Sequence, residues 1–149
     1  MPVEVTASGS HGWKMPRAAI VVMGLIPRVY RLVNGRGLGR TLVLTTVGAK
    51  TGQKRDAHLT SFPDGDGWLV VASKGGSATH PAWYINMARH PDEIWVQAGS
   101  RRTHVKAESL KGAERDKAWR RVLSEFSNYG DYEKKTDREI PVVRLTPLP

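Results

Sequence analysis

Residues 41–73, TLVLTTVGAKTGQKRDAHLTSFPDGDGWLVVAS, decide how this chain folds. The run 41–47 is β-branched and apolar along its length, which reads as a buried strand. A loop containing Gly48 and Gly52 follows, and residues 55–62 form a second candidate strand. Asp64-Gly65-Asp66-Gly67 is a tight-turn signature that delivers the chain to a third strand, 68–73.

The pattern continues on either side of this stretch. Residues 93–98 (EIWVQA) and 103–109 (THVKAES) predict a hairpin around Gly99-Ser100. Residues 140–145 (IPVVRL) make a last strand, for which Pro141 favours an edge position or a strand start. Helical spacing is confined to three places. His80-Pro81 leads into a short helix over 82–89 (AWYINMAR), stopped before Pro91. In 114–126, Trp119, Val122, Leu123 and Phe126 fall at i, i+3, i+4 and i+7, one amphipathic face. Upstream, a helix is expected from about Pro16 to Val33, with Met15, Ala19, Val22, Ile26, Val29 and Val33 as its buried stripe. Arg17, Arg28 and Arg31 share another face of it, and Pro27 should kink or interrupt it. Residues 1–12 read as a flexible tail. About six short strands with few helices rule out a doubly wound α/β fold; a mainly β, α+β small barrel with peripheral helices is expected.

At 149 residues the chain fits one domain, and 40% hydrophobic with 25% charged residues is ordinary for a globular protein. There is no Cys, so disulfides, thiolate metal sites and a Cys nucleophile are excluded, which suits a reducing compartment such as the cytoplasm. The formal net charge is +9, and residues 1–55 carry nearly all of it: nine Lys and Arg against the single acid Glu4. An excess so localised points to an anionic partner: a phosphate-bearing cofactor, a nucleic acid or an acidic membrane face. The most apolar run, 18–26 (AAIVVMGLI), is too short to cross a bilayer, and no secretory signal is visible, so the chain reads as soluble or at most surface-bound. A basic amphipathic N-terminal helix could make peripheral contact with the inner face of a plasma membrane.

Metal and hydrolase chemistry find no support. The histidines show no ligand-like spacing, and HExxH, G-x-S-x-G and Walker motifs are absent. A nucleic-acid module would need interleaved aromatic and basic residues that are not present. Two segments remain. In Gly48-Ala49-Lys50-Thr51-Gly52-Gln53-Lys54-Arg55, glycines allow a tight turn whose N–H groups can face an anion, with Lys50 and Arg55 adding charge. On composition alone, a lysine-rich hairpin loop is the simpler reading. In residues 71–86, VASKGGSATHPAWYIN, a strand ends in a polar, glycine-rich loop that opens a helix, whose first N–H groups suit a phosphate. Singly, Trp83 and Tyr84 read as core residues.

GAKTGQKR, VVASKGGSATHPAWYINM and the tyrosine-bearing YGDYEKKTDREIPVVRL together resemble the deazaflavin-dependent nitroreductase family, from about Leu42 to Leu145. That family is similar in fold to FMN-binding split β-barrels. The resemblance implies coenzyme F420, an 8-hydroxy-5-deazaflavin, as hydride donor, and a small-molecule acceptor that is quinone-like, nitroaromatic or otherwise activated and conjugated. By the same resemblance Lys50, Thr51 and Arg55 match the loop that grips the cofactor's phosphate and acidic tail. Ala49 stands where a second basic residue is frequent. Asp56, Ala57, His58, Leu59 and Thr60 match backbone running beside the cofactor, with His58 where a proline is common. Val71, Ala72, Ser73 and Lys74 match the segment against the ring; Ala82, Trp83, Tyr84, Ile85 and Asn86 match the helix start that completes the phosphate site. Tyr129 and Tyr132 match tyrosines closing over the substrate, and with Ser73 they would polarise or protonate the acceptor. The alternatives are an FMN- or haem-binding split-barrel protein and a non-catalytic deazaflavin carrier.

Overall fold

The computed structural model describes residues 3–149. The chain runs α1 (Arg17–Val33), β1 (Thr41–Val47), β2 (Lys54–Thr60), β3 (Phe62–Asp64) and β4 (Gly67–Val71). A single 3-10 turn, Lys74–Gly76, then leads into α2 (Ala82–Arg89), β5 (Trp95–Ala98), β6 (Arg101–Ser109), α3 (Gly112–Glu125), α4 (Asn128–Lys135) and β7 (Val142–Pro147). The strands lie in the order β2-β1-β5-β6-β7-β4-β3, every pair antiparallel. β6 carries the sheet from one half to the other: its first four residues pair with β5 and its last five with β7. The sheet curls into a half-barrel, and edge strand β2 approaches β4 across the split. This is the mainly β, α+β barrel with peripheral helices that the strand count predicts.

β1 is as buried as its composition demands, with Leu42, Val43 and Leu44 fully enclosed. One core cluster joins Leu42, Leu44, Val96 and Val105 to Trp83, Tyr84 and Met87 of α2. The other joins Phe62, Leu69 and Val142 to Trp119 and Val122 of α3 and Tyr129 of α4. Truncating any of the larger aliphatic side chains in either cluster costs about 2–5 kcal/mol.

The structure corrects several expectations. The second strand does not run on to Phe62: the Ser61 N–H donates to the Arg40 carbonyl (2.9 Å), ending β2 and starting β3. β7 is no edge strand, lying between β6 and β4; Pro141 precedes it, and its carbonyl accepts the Ala72 N–H. α1 runs unbroken through Pro27, which is buried. Its apolar stripe is not buried: Val22 is 59% exposed and Val29 47%, and only Pro27 and Tyr30 are enclosed. The helix is anchored near its C-terminal end, where the Tyr30 hydroxyl donates to the Thr41 carbonyl and accepts the Gly99 N–H. The described part of the tail, from Val3 onward, is docked. Gly9 and Trp13 donate to Ala78 and Gly76 carbonyls, the Tyr84 hydroxyl donates to Glu4, and Ser10 and His11 N–H groups hold Asp137. Residues 1–2 of that expected tail lie outside the described residues. α4 was not foreseen at all.

Candidate functional site

The loop between β1 and β2 is closed by Gly48 N–H to the Gln53 carbonyl (2.7 Å) and Gly52 N–H to the Gly48 carbonyl (2.9 Å). Asn86 fixes this loop to α2. Its Oδ1 accepts the Ala49 N–H at 2.9 Å, and its Nδ2 donates to buried Thr46 Oγ1 at 3.1 Å. Lys50 and Thr51 on the loop and Arg55 at the start of β2 are left exposed. Among the described residues neither Lys50 nor Arg55 has an ion-pair partner, so their charge is available to a ligand. A cavity of about 340 Å³ opens here, lined by Ala49, Lys50, Thr51 and Arg55 and by Ala82, Ile85 and Asn86 of α2. Pro81 precedes α2, no side chain caps it, and Ala82 in its first turn lines this compartment, so the positive end of the helix dipole lies beside it.

Ala82 also lines a second cavity of about 500 Å³, so the two adjoin at the start of α2. One wall is β2, through Ala57, His58, Leu59 and Thr60; the other is Val71, Ser73 and Lys74 of the β4 exit, with Trp83. Tyr129 and Tyr132 on α4 close one end, and Met15, just before α1, with Ile20, Met23 and Ile26 of α1 cover it. The exposed apolar residues of α1 are thus in part the roof of this slot. The Tyr129 hydroxyl is held above the ordinary phenol range, chiefly by burial, with the Thr60 side chain pulling the other way. It stays protonated at neutral pH and can donate. Tyr132 stands edge-on to Tyr129 at 5.4 Å, its hydroxyl accepting from Asn128 Nδ2. His58 Nε2 lies 2.8 Å from Thr41 Oγ1, and burial pushes its pKa down.

Three expected residues do not reach the cleft. Asp56 shares a face of β2 with His58 and Thr60 but lies further along the strand, paired with Arg31 at 2.8 Å and accepting from Thr45. The Ala72 side chain is buried in the core. Tyr84 is fully buried, its ring tilted against His80 and its hydroxyl donating to the Glu4 carbonyl. The α1 roof and Arg138, described below, were missed. The roof carried a partial signal, since Met15 and Ile26 belong to the expected stripe whereas Ile20 and Met23 do not. Arg138 carried none.

An apolar slot beside an unneutralised cationic pocket suits a planar heteroaromatic ring with an anionic tail. On this fold it defines a cofactor-binding protein of the FMN-binding-like split-barrel class. The family model described as F420H(2)-dependent quinone reductase matches residues 27–147, and the chain belongs to that family. An F420H(2)-dependent quinone reductase of Mycobacterium tuberculosis (strain ATCC 25618 / H37Rv) is 38% identical over 143 residues, 90% of this chain and 95% of that protein. Among solved structures, an F420-H2 dependent reductase (FDR-A) is 36% identical with a TM-score of 0.64, covering 72% of this chain and 94% of that one. A structure described as a domain-swapped dimer is 32% identical with a TM-score of 0.66, covering 86% of this chain and 98% of that one. Campylobacter jejuni ChuZ, at 13% identity and a TM-score of 0.54, covers 90% of this chain and 55% of that one and shares the fold alone.

Proposed function

We propose that the cleft holds reduced coenzyme F420 and that the chain directs its hydride to a quinone. When bound, the cofactor supplies the two-electron donor. The observation that carries this reading is that an apolar slot and a pocket bearing Lys50 and Arg55 adjoin at Ala82. Lys50, Thr51, Arg55 and the α2 N-terminus bind the anionic tail. β2 from Ala57 to Thr60 and the segment from Val71 to Lys74 flank the ring and hold it still, which supplies orientation rather than new chemistry. Met15, Ile20, Met23 and Ile26 exclude water. A quinone that gains a hydride and one proton becomes a hydroquinone. The protonated Tyr129 hydroxyl, with Tyr132 and Ser73, polarises the acceptor oxygen, and the proton comes from this end of the slot. Nitro compounds and other conjugated acceptors fit the same slot.

The remaining apolar surface of α1, including Val21, Leu25 and Leu32, stands beside Arg17, Arg28 and Arg31. No helix among the described residues is long and apolar enough to cross a membrane. Contact of α1 with an anionic membrane surface, on its cytoplasmic side, would bring a lipid-soluble quinone to the mouth of the slot.

The test is substitution of Lys50 and Arg55 by Ala. Each charge-assisted contact is worth about 1.5–3 kcal/mol, so each change weakens deazaflavin binding by about 10- to 100-fold. The thermal midpoint should stay put. Loss of fold with no separable loss of binding would return both residues to a purely structural role.

A further inference from the structure

Ser73 has φ −80° and ψ −39°, Lys74 follows with φ +45°, and Gly75 with φ +63° and ψ +18°. A right-handed residue followed by left-handed ones turns successive N–H groups toward one point, forming a backbone nest that receives anionic oxygen. The N–H groups of Ser73, Lys74 and Gly75 donate to no acceptor among the described residues. All three residues line the apolar slot.

Behind this turn lies Arg138, only 5% exposed. Its Nη1 donates to the Ala72 carbonyl (3.0 Å), its Nη2 to the Ser73 carbonyl (2.7 Å) and its Nε to the Ser77 carbonyl (2.8 Å). Nη1 also meets His80 Nδ1 at 3.3 Å; the other ring nitrogen of His80 is 2.7 Å from the Thr6 carbonyl and so carries the proton. Arg138 has carbonyls and a neutral imidazole around it, and no carboxylate among the described residues offsets its charge. No cis peptide bond occurs in the described chain, and in a trans peptide C=O and N–H point opposite ways. Carbonyls of Ala72 and Ser73 drawn back onto Arg138 therefore aim the N–H groups of Ser73 and Lys74 forward into the slot. The buried charge polarises those same two peptides in that direction.

We propose that the Ser73–Lys74–Gly75 nest, oriented and polarised by Arg138, receives a carbonyl oxygen conjugated to the reacting carbon, where negative charge sits as the hydride moves. Arg138 is then a positioning residue for the reaction. The proposal rests on the cleft being the deazaflavin site, and the oxygen can belong to the ring or to the acceptor.

The experiment is amide NMR on the full, isotope-labelled chain, titrated first with oxidised deazaflavin and then with hydroquinone. Downfield shifts of the Ser73, Lys74 and Gly75 amide protons with the deazaflavin alone assign the oxygen to the ring. Shifts that need the hydroquinone assign it to the acceptor; either supports the nest. Arg138→Lys should keep much of the shift, whereas Arg138→Gln should lose most of it. With Arg138→Gln, kcat/KM should fall on the order of 10- to 100-fold, more steeply for quinones of low electron affinity. A merely structural role would lower activity equally for every quinone. If Arg138→Gln does not fold, the wild-type and Arg138→Lys shifts still decide. Shifts throughout residues 48–55 with none at 73–75 would overturn the nest and leave the cofactor site standing. No shift in either segment would overturn both.

Discussion

Replacing Asn86 by Leu separates the loop from its support while keeping side-chain size. The side chain is 5% exposed and makes two hydrogen bonds, one to the Ala49 N–H and one from its own amide to Thr46 Oγ1. Thr46 is fully buried, so its hydroxyl loses a partner where water cannot replace it. An unsatisfied buried polar group costs about 1–3 kcal/mol, and Ala49, half-buried on the loop, lies at the lower end of that range. The two together predict a loss of about 2–4 kcal/mol in urea unfolding. A loop no longer ordered in advance must be ordered by the ligand, at about 1–2 kcal/mol per residue released, so deazaflavin binding weakens by about 10-fold. Asn86→Asp is the companion variant. It can still accept from Ala49 but sets a carboxylate beside the anionic tail, so binding should suffer more than stability. An Asn86→Leu protein within about 0.5 kcal/mol of wild type, with unchanged affinity, would refute the view that Asn86 holds the loop for the cofactor.

Gly76 has φ +85°, and a Cβ there would stand 2.6 Å from the Tyr132 carbonyl. Gly76→Ala should therefore displace α4 with its two tyrosines and lower kcat by about 10-fold or more, a loss of 1.4 kcal/mol or greater in barrier terms; unchanged turnover would remove α4 from the site. His80 and His58 both have pKa values lowered by burial from 6.5. Such groups favour the folded state fully above pH 6.5, and that contribution is lost as pH falls toward the folded pKa. Urea midpoints should drop below pH 6.5, and less so in His80→Gln, as a denaturation series across pH would show. Tyr30→Phe removes the hydroxyl that joins Thr41 and Gly99, with the ring 1% exposed; a loss of about 1–3 kcal/mol is expected in the same unfolding assay.

The barrel was legible because its signals are local. β1 is a β-branched run that can only be a buried strand, and the Asp64–Gly67 turn places β3 against β4. The segments lining the two cavities were visible as motifs, though only the fold brings them together at Ala82. The errors share a cause. The apolar spacing of α1 was read correctly, but periodicity does not say what a face packs against, and here part of it roofs a cavity. The N-terminal segment is polar and loop-like, yet its backbone is held by partners as distant as Asp137. Asp56 and Tyr84 lie within matching motifs, but Arg31 and Thr45 take up the Asp56 carboxylate and helical phase turns Tyr84 into the core. α4 contains Gly130 and a run of charges, so nothing in its composition announced a helix. Arg138, a lone arginine in a polar stretch, gains its meaning only from carbonyls more than sixty residues away.

The decisive property of the cleft is what it binds. Purified protein titrated side by side with reduced deazaflavin, FMN and NADPH, and then mixed with quinone under anaerobic conditions, tests this directly through absorbance. Saturable binding of the deazaflavin in preference to the others, followed by its oxidation at the rate hydroquinone appears, is the predicted result. Preferential binding of FMN would contradict it, as would bound deazaflavin whose absorbance no quinone changes.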